Sequence, residues 1–598
     1  MKHILPTKTS WLWLLAVSFL FQKNYSQTPT LQFANVLESA HDQGVWSRAT
    51  VTDAAGNFYM TGLFHGTVDF DTSASGNFPL VYQGGTENDT DGESDVYIVK
   101  YDPDGALLWA KKLLEPTFTG MNEERASSMI IDNNNNLFLT GFTNTRGFFV
   151  SKWTSNGDEV WTKYFDDTET NGVTTFALRK NNNSILITGS FMGVMDFNPS
   201  AIDTLNLAAV NNDGFLLSLS DDGSFEWVKQ FRCNGGVIIT GLETDSTNNI
   251  FLSGIFLGTV DINPDTTINT LMTSQSVSSG AISSAFLAKF NSSGTLLWNK
   301  HLKGTATTDF FMAFIKKDSA DNIILSGSYK GIVTLLPTTT SLNTGDFYSS
   351  LLAKYSNDGT LLWSTLFASP TATQTTFFPS SFCANVITDS CNNIYVSGEF
   401  QGNCDFNPGA GDNILSTLTN LTSGFAAAYS PSGEHLWSMD VGGLGNVTFV
   451  EFNGYLPIAL DQNNDLIFTG TFRGQLDFDP SAQSTVLNSN NSGNTNIAGV
   501  FMAKYDNPIN TCLLDSKPVG EKSFGLYPNP SNGIVTIFAK EFTEPYRLTV
   551  FDISGKKIVT HEIKAAEATI DLSGLTKGVY LIEINSDDKT AHQKLILN

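Results

Sequence analysis

Seven times along this chain an apolar run closes on a Ser-Gly or Thr-Gly pair, at Gly62, Gly141, Gly189, Gly254, Gly327, Gly398 and Gly470. The runs read FYMTG, LFLTG, ILITG, IFLSG, IILSG, IYVSG and LIFTG, and such β-branched and aromatic stretches suit buried strands. A unit of this kind cannot bury its apolar face alone, so the fold must stack each unit on the next. Nothing else in the sequence narrows the possibilities as far.

Each unit holds four strands. Asp53, Asp132, Asp245, Asp318, Asp389 and Asp461 stand four residues ahead of Asn57, Asn136, Asn249, Asn322, Asn393 and Asp465, with Lys180 and Ser184 in the third copy. Asp and Asn accept the left-handed backbone and side-chain hydrogen bonds of tight hairpins, so these acids read as turn formers. A third strand follows each Gly-closed run, then a turn ending in Gly105, Gly157, Gly223, Gly294, Gly359 or Gly433. Four residues beyond each glycine stands Trp109, Trp161, Trp227, Trp298, Trp363 or Trp437, so six of the ten tryptophans share one repeat position. That regularity points to anchors between neighbouring sheets, not to ligand stacking.

Seven four-stranded repeats predict an all-β chain, a seven-bladed β-propeller. The seventh repeat lacks a fourth strand after Tyr505, whereas LQFANVL from Leu31 to Leu37 matches LLWAKKL from Leu107 to Leu113, with Phe33 in the tryptophan place. The N-terminal strand is therefore expected to complete the last blade and remove the open edges of the ring. Over residues 31–506 the repeats resemble the SBBP type of bacterial propeller repeat. The resemblance implies the fold and is silent on ligand.

Charge and the N-terminus set the compartment. Lys and Arg number 34 against 59 Asp and Glu, a formal charge of −25, which repels phosphate backbones and excludes nucleic acid as a partner. Charged residues are only 16% of the chain, below the usual quarter, and Asn, Ser, Thr and Gly carry the polarity, as in extracellular β proteins. Lys2, His3 and Lys8 precede the apolar run Trp11 to Phe21, with a small residue near position 26, which reads as a secretory signal peptide over residues 1–26. That run is too short to cross a bilayer core, no cysteine follows it for a lipid anchor, and no later segment predicts a transmembrane span.

Within a blade, the turns joining strands one to two and three to four are short and share one face. Long, variable loops occupy the other, where binding surfaces develop on a rigid scaffold. Five of these loops open alike, with Asp69-Phe70-Asp71, Asp196-Phe197-Asn198, Asp261-Ile262-Asn263, Asp405-Phe406-Asn407 and Asp477-Phe478-Asp479. Alternating oxygens of this kind could ligate Ca²⁺. The EF-type loop is absent, however, and Asp and Asn here are equally ordinary turn starters, so both readings stand.

No catalytic residue is assigned. His41, His65, His301 and His435 fall singly in different repeats, and HExxH, GxSxG and P-loop patterns are absent. Carboxylate pairs assembled across blades leave no local signature, and Glu123-Glu124-Arg125 on a variable loop is the first place to look for one. Cys233, Cys383, Cys391, Cys404 and Cys512 are odd in number, so one at least stays unpaired within the chain. Cys383 and Cys404 both fall toward the variable face of the sixth repeat and could pair.

The repeat stops at Asp515, which bounds the propeller at 27–515 behind a linker, 516–523. Residues 524–598 alternate apolar strands with Pro, Asn and Gly turns, the pattern of a small β-sandwich. This module resembles the type A C-terminal sorting domain of the type IX secretion system through Tyr527, Pro528, Asn529, Pro530, Gly533, Asp552, Gly555, Lys556, Gly578, Tyr580 and Lys594. The resemblance implies passage across an outer membrane through that machinery, followed by surface attachment or release. The propeller then reads as an exported binding or adhesion module for an extracellular glycan or protein. A polysaccharide lyase or hydrolase, or a surface component without a ligand, are the alternatives.

Overall fold

Apolar strands joined by Asx turns fold the first repeat into an antiparallel meander of Val45–Thr52, Phe58–Phe64, Asp95–Tyr101 and Leu107–Lys112. The structure, a computed structural model, describes most of residues 28–509 and 525–597. The longest internal stretches left out are 83–93, 114–122, 368–380 and 442–455, and the signal-peptide reading of residues 1–26 lies outside the described residues. Six further four-stranded sheets of the same order follow the first. Their first strands are Glu124–Ile131, Val173–Asn181, Val237–Thr244, Asp309–Lys317, Ser381–Thr388 and Ile458–Leu460. Each first strand packs on the next, and the last packs on Val45–Thr52, so the sheets form a closed ring of seven blades. Blade 7 takes its outer strand from the N-terminus, where Thr30–Leu37 runs antiparallel to Gly499–Asp506. The described residues are therefore all-β, and those from Thr30 to Asp506 form a seven-bladed propeller closed by its own N-terminal strand.

Turn chemistry explains the meander. In blade 1, Asp53 Oδ1 accepts the Ala55 and Asn57 N–H groups at 3.0 Å each, and Asn57 Nδ2 donates to Oδ2 at 2.8 Å. Asp318 and Asp389 repeat this arrangement with Asn322 and Asn393. Several of these buried acids also meet a lysine from the third strand: Lys289 to Asp245, Lys354 to Asp318 and Lys504 to Asp461, each at 2.9 Å. The same lysines reach the following blade, Lys354 donating to Pro431 O at 3.0 Å and Lys504 to Pro103 O at 3.2 Å. One ammonium thus ties its own turn to the neighbouring sheet.

The repeat tryptophans work at the same seams. Trp109 Nε1 donates to Ser155 O at 3.1 Å, Trp161 to Asp221 O at 3.2 Å and Trp363 to Pro431 O at 3.1 Å, each across to the next blade. Gly433 (φ +85°) lies on the Trp363 ring, where a Cβ would stand 2.8 Å from Cδ2. At the ring closure Gly105 meets Phe33 in the same way, with a Cβ placed 2.9 Å from that ring. Phe33 therefore substitutes for tryptophan where the two ends of the propeller join.

Cys383 and Cys404 do not form the pair expected from sequence. Both are reduced thiols buried in the core of blade 6 with Phe400, Phe406 and Phe425. There they fill space as small apolar side chains, and burial pushes the Cys383 thiol up to about 12. Cys233 is also reduced, and of the four described cysteines Cys391 is the disulfide-bonded one.

The contacts divide the chain into two compact units, Met1–Thr511 and Cys512–Asn598. In the second unit, Gly525–Tyr527, Ile534–Phe538 and Glu567–Asp571 make one sheet. Lys557–Ile563, Tyr546–Asp552, Gly578–Asn585 and Thr590–Leu597 make the other. Val535, Ile537, Leu548, Val550, Ile582 and Leu595 close the core between the sheets, a small β-sandwich.

Candidate functional site

The first strands converge on the axis of the ring and enclose a channel of about 480 Å³ to which every blade contributes. Arg48, Ser128, Lys180, Glu243, Lys316, Asn385 and Ile458 are one wall residue from each blade in turn. A recurring β-bulge builds this wall. In six blades the register of the first strand skips one residue, leaving Arg48, Ser127, Phe176, Thr240, Phe311 and Ala384 without a partner in the ladder. A bulge bends the strand and re-aims the extra side chain, and five of these six residues line the channel. Sequence reasoning missed them, because a bulge is visible only once the strands are paired.

The charge of the wall is opposite to that of the chain. Among the described residues its charged members are Arg48, Arg179, Lys180 and Lys316 against the single carboxylate Glu243. Glu243 is 3% exposed and is shared by Arg179 at 2.8 Å and Lys316 at 3.1 Å, an ion triad spanning three consecutive blades. Burial opposes its charge, yet the two cations prevail and hold the carboxyl at about 2. Asp221 is likewise shared, by Lys152 and Lys180. A second cavity, of about 560 Å³, adjoins the channel through Arg48 and Ser127 and adds Arg125, Phe142 and Thr174. First strands run from the variable face toward the turn face, so Arg48 and Arg125 stand at the variable mouth and the Glu243 triad near the far end. Of the acidic stretch singled out in the sequence, Glu123 pairs with Arg125, and Glu124 is buried with its backbone N–H on Ser94 O at 2.9 Å.

On the variable face, six blades carry an extra two-stranded hairpin, such as Thr67–Asp69 with Pro79–Val81 and Gln475–Asp477 with Val486–Asn488. The five acidic loop openings sit at these hairpins. Asp69 Oδ1 accepts the Asp71 and Phe78 N–H groups at 3.0 and 2.8 Å, and Asp196 takes those of Asn198 and Leu205 at 3.0 and 2.7 Å. Asp261 does the same with Asn263 and Thr270, Asp405 with Asn407 and Asn413, and Asp477 with Asp479 and Thr485. The residue between each Asp and its partner, Phe70, Phe197, Ile262, Phe406 or Phe478, is at most 1% exposed and plugs the outer core. Each pair is thus brought together within its own hairpin, and the five pairs stand apart, one to a blade. Among the described residues, no three His, Cys, Asp or Glu side chains come together as a metal site. His301 and His435 lie on outer strands of blades 4 and 6, against Phe256 and Tyr429. No helix among the described residues is long and apolar enough to cross a membrane.

In the second unit, Gly533 (φ +114°) is pressed against Ser573, whose Cα would lie 2.5 Å from a Cβ at that position. Tyr580 is 7% exposed and donates to Thr576 O at 2.7 Å. Asp552 Oδ1 accepts the Lys556 N–H at 3.0 Å, closing the hairpin between two of the strands. Pro528, Asn529, Pro530 and Gly555 lie outside the described residues, whereas Lys594 pairs with Leu581 across the final hairpin. Residues 525–598 match the family described as the secretion system C-terminal sorting domain. The C-terminal module is a type IX sorting domain. A sorting domain of this class implies interaction with the type IX secretion machinery and export to the cell surface or the extracellular space. A curated relative of the chain is the uncharacterized WD repeat-containing protein L264 of Acanthamoeba polyphaga mimivirus, 27% identical over 308 residues. That match spans 47% of this chain and about a fifth of the relative, 21%. Among solved structures, the WD40 domain of SCAP from fission yeast is similar at 8% identity over 81% of this chain and 99% of that one, TM-score 0.31. PorZ, an essential surface component of the type IX secretion system of Porphyromonas gingivalis, is similar at 10% identity over 94% and 82%, TM-score 0.21.

Proposed function

We propose that the propeller, over residues 27–515, is a binding module for an extracellular glycan or protein, delivered through the periplasm by the signal peptide and then outward by the sorting domain. The observation that carries the reading is the asymmetry of the ring. Among the described residues, one face has short turns capped by Asp, Asn, Ser or Thr, whereas the other presents six added hairpins and a mouth of the channel. Rigid rings with elaborated loops on one face are the usual architecture of a recognition surface. A second support is the state of Glu243, the one carboxylate among the described channel-wall residues. Held ionised by two cations, it has neither the proton of a general acid nor a carboxylate partner. Calcium stays part of the proposal only as a loop ligand. The first Asp of each hairpin commits one oxygen to backbone N–H groups, so an ion there would rely on the remaining oxygens.

Two measurements test this. Cell fractionation of the full chain and of a truncation ending at Asp515, with mature termini read by mass spectrometry, should place the full chain at the surface or in the medium and keep the truncation inside. Arrays of glycans and extracellular proteins probed with the secreted chain should return a saturable ligand. Absence of binding across both arrays would sink the recognition role and leave a structural ring.

A further inference from the structure

We propose that the secretion machinery reads the sorting domain on the outer face of its four-stranded sheet, at an apolar patch made by Phe551, Val579, Leu581 and Ile596. The occupant is an apolar surface of that machinery. This goes beyond the binding reading of the propeller and rests only on the assignment of the module as a sorting domain.

Strand alternation makes the patch. Val550, Tyr580, Ile582 and Leu595 are buried in the core between the sheets, so the neighbouring Phe551, Val579, Leu581 and Ile596 stand on the opposite face. Phe551 pairs with Leu581 across one ladder, and Val579 pairs with Ile596 across the next. Cross-strand partners and alternate residues of one strand lie within reach of each other on a sheet face, so the four form one continuous surface. Val579 and Leu581 are each 40% exposed, and Phe551 and Ile596 are half-buried. Lys557 and Lys594 stand at either end of the cross-strand row through Phe551 and Leu581, where their stems extend the apolar area. A continuous apolar patch on a small domain marks an interaction site, whereas single exposed side chains do not.

The other sheet shows the contrast. Ile534 and Phe538 are also exposed there, but they lie opposite Asp571 and Glu567, with the Thr536–Thr569 pair between them. Polar partners thus isolate each apolar side chain on that face. The edges of the four-stranded sheet are blunted as well. A bulge at Ile558 interrupts the edge strand Lys557–Ile563. At the opposite edge, Ser531 donates its N–H to Ile596 O at 2.8 Å on the free side of Thr590–Leu597. Such features block the addition of a partner strand and leave recognition to a face. The function of the module names the partner. What a sorting domain presents for recognition has to lie on the domain itself, and its buried core cannot be read from outside.

The test expresses the full chain in cells that carry the type IX system and fractionates them as above. Leu581→Glu puts a charge at the centre of the patch. Val579→Thr with Leu581→Thr removes its apolar character while keeping branched strand formers. Ile534→Lys, at a position 59% exposed, is the control on the other sheet. Melting curves of each purified full chain report folding, and substitutions this exposed should leave the midpoints at the wild-type value. The exported fraction should fall tenfold or more in Leu581→Glu and threefold or more in the double variant, with the protein retained inside the cell. Ile534→Lys should stay within twofold of wild type. Normal export of the folded double variant overturns the proposal, as does an equal loss in Ile534→Lys. Face variants that leave the cell but fail to stay on a surface that holds the wild type also overturn it, because the patch would then serve attachment. The truncation ending at Asp515 keeps the two readings apart. Its retention alongside normal export of the face variants refutes this face alone, whereas its export refutes the sorting role itself.

Discussion

Replacing Lys354 with Met tests whether the seams between blades are held by buried charge. Lys354 and Asp318 are 2.9 Å apart with side chains 6% and 2% exposed, and Lys354 also donates to Pro431 O at 3.0 Å in the next blade. Removing one partner of a buried ion pair costs roughly 3–5 kcal/mol, because the other charge is left in low dielectric. Asp318 would keep its bonds from the Ala320 and Asn322 N–H groups and Asn322 Nδ2, and Met fills most of the lysine stem. The expected loss is therefore near the lower limit, about 3 kcal/mol. The double variant Asp318→Asn with Lys354→Met removes both charges and should recover about half of that loss, since it leaves no unpaired ion. Nature supplies the precedent within this chain: blade 3 has Lys180 and Ser218 at the two positions and lacks the pair altogether. The assay is urea unfolding followed by tryptophan fluorescence, with hydrogen exchange of blade 5 and blade 6 amides as the local readout. A pH series adds a sign. Burial pushes the Asp318 carboxyl up, but Asn322 and Lys354 bring it below its usual value. Its contribution is therefore present above the unfolded value near 4 and lost as pH falls through the folded one, and the Met variant should lose it at higher pH. A single variant within 1 kcal/mol of wild type, or a double no better than the single, would refute the argument.

Gly433→Ala should cost about 2 kcal/mol or more, combining a left-handed φ of +85° with a Cβ 2.8 Å from Trp363, whereas Gly402→Ala (φ +75°, nothing within 4 Å) should cost only the backbone penalty of about 1–2 kcal/mol. Thermal midpoints of the two variants check the difference. Burial lowers His301 and His435 to about 4, with Asp405 opposing only part of the effect at His435. The unfolded chain then binds more protons between pH 6.5 and 4, so stability should fall across that window on acidification. Melting curves from pH 7 to 4 should show the slope, and the double variant His301→Phe, His435→Phe should flatten it.

The sequence carries much of this molecule in local signals. The Asp-x-x-x-Asn turns, the Gly-closed strands and the tryptophan four residues past a glycine each lie within one repeat, so their geometry follows from neighbours in the chain. Even the ring closure was legible, because Phe33 occupies a repeat position that the seventh blade leaves empty. The sorting domain was readable for the same reason, as a contiguous pattern from Tyr527 to Lys594.

Other features belong to tertiary structure alone. The related Asp-Phe-Asp and Asp-Phe-Asn openings have the alternating oxygens of a cation loop, but the acceptors of Asp69 and Asp477 are engaged by N–H groups nine and eight residues on, respectively, across a hairpin the sequence does not announce. Cys383 and Cys404 share a blade, yet packing keeps both as reduced core thiols. The channel shows the limit most clearly. Arg48, Arg179, Glu243 and Lys316 come from four blades, and a bulge decides that Arg48 stays out of its ladder. Charge in the sequence is a sum over the chain, whereas the field at the axis depends on which residue each blade turns inward. Strand pairing and ring closure make that choice, and they act over hundreds of residues at once.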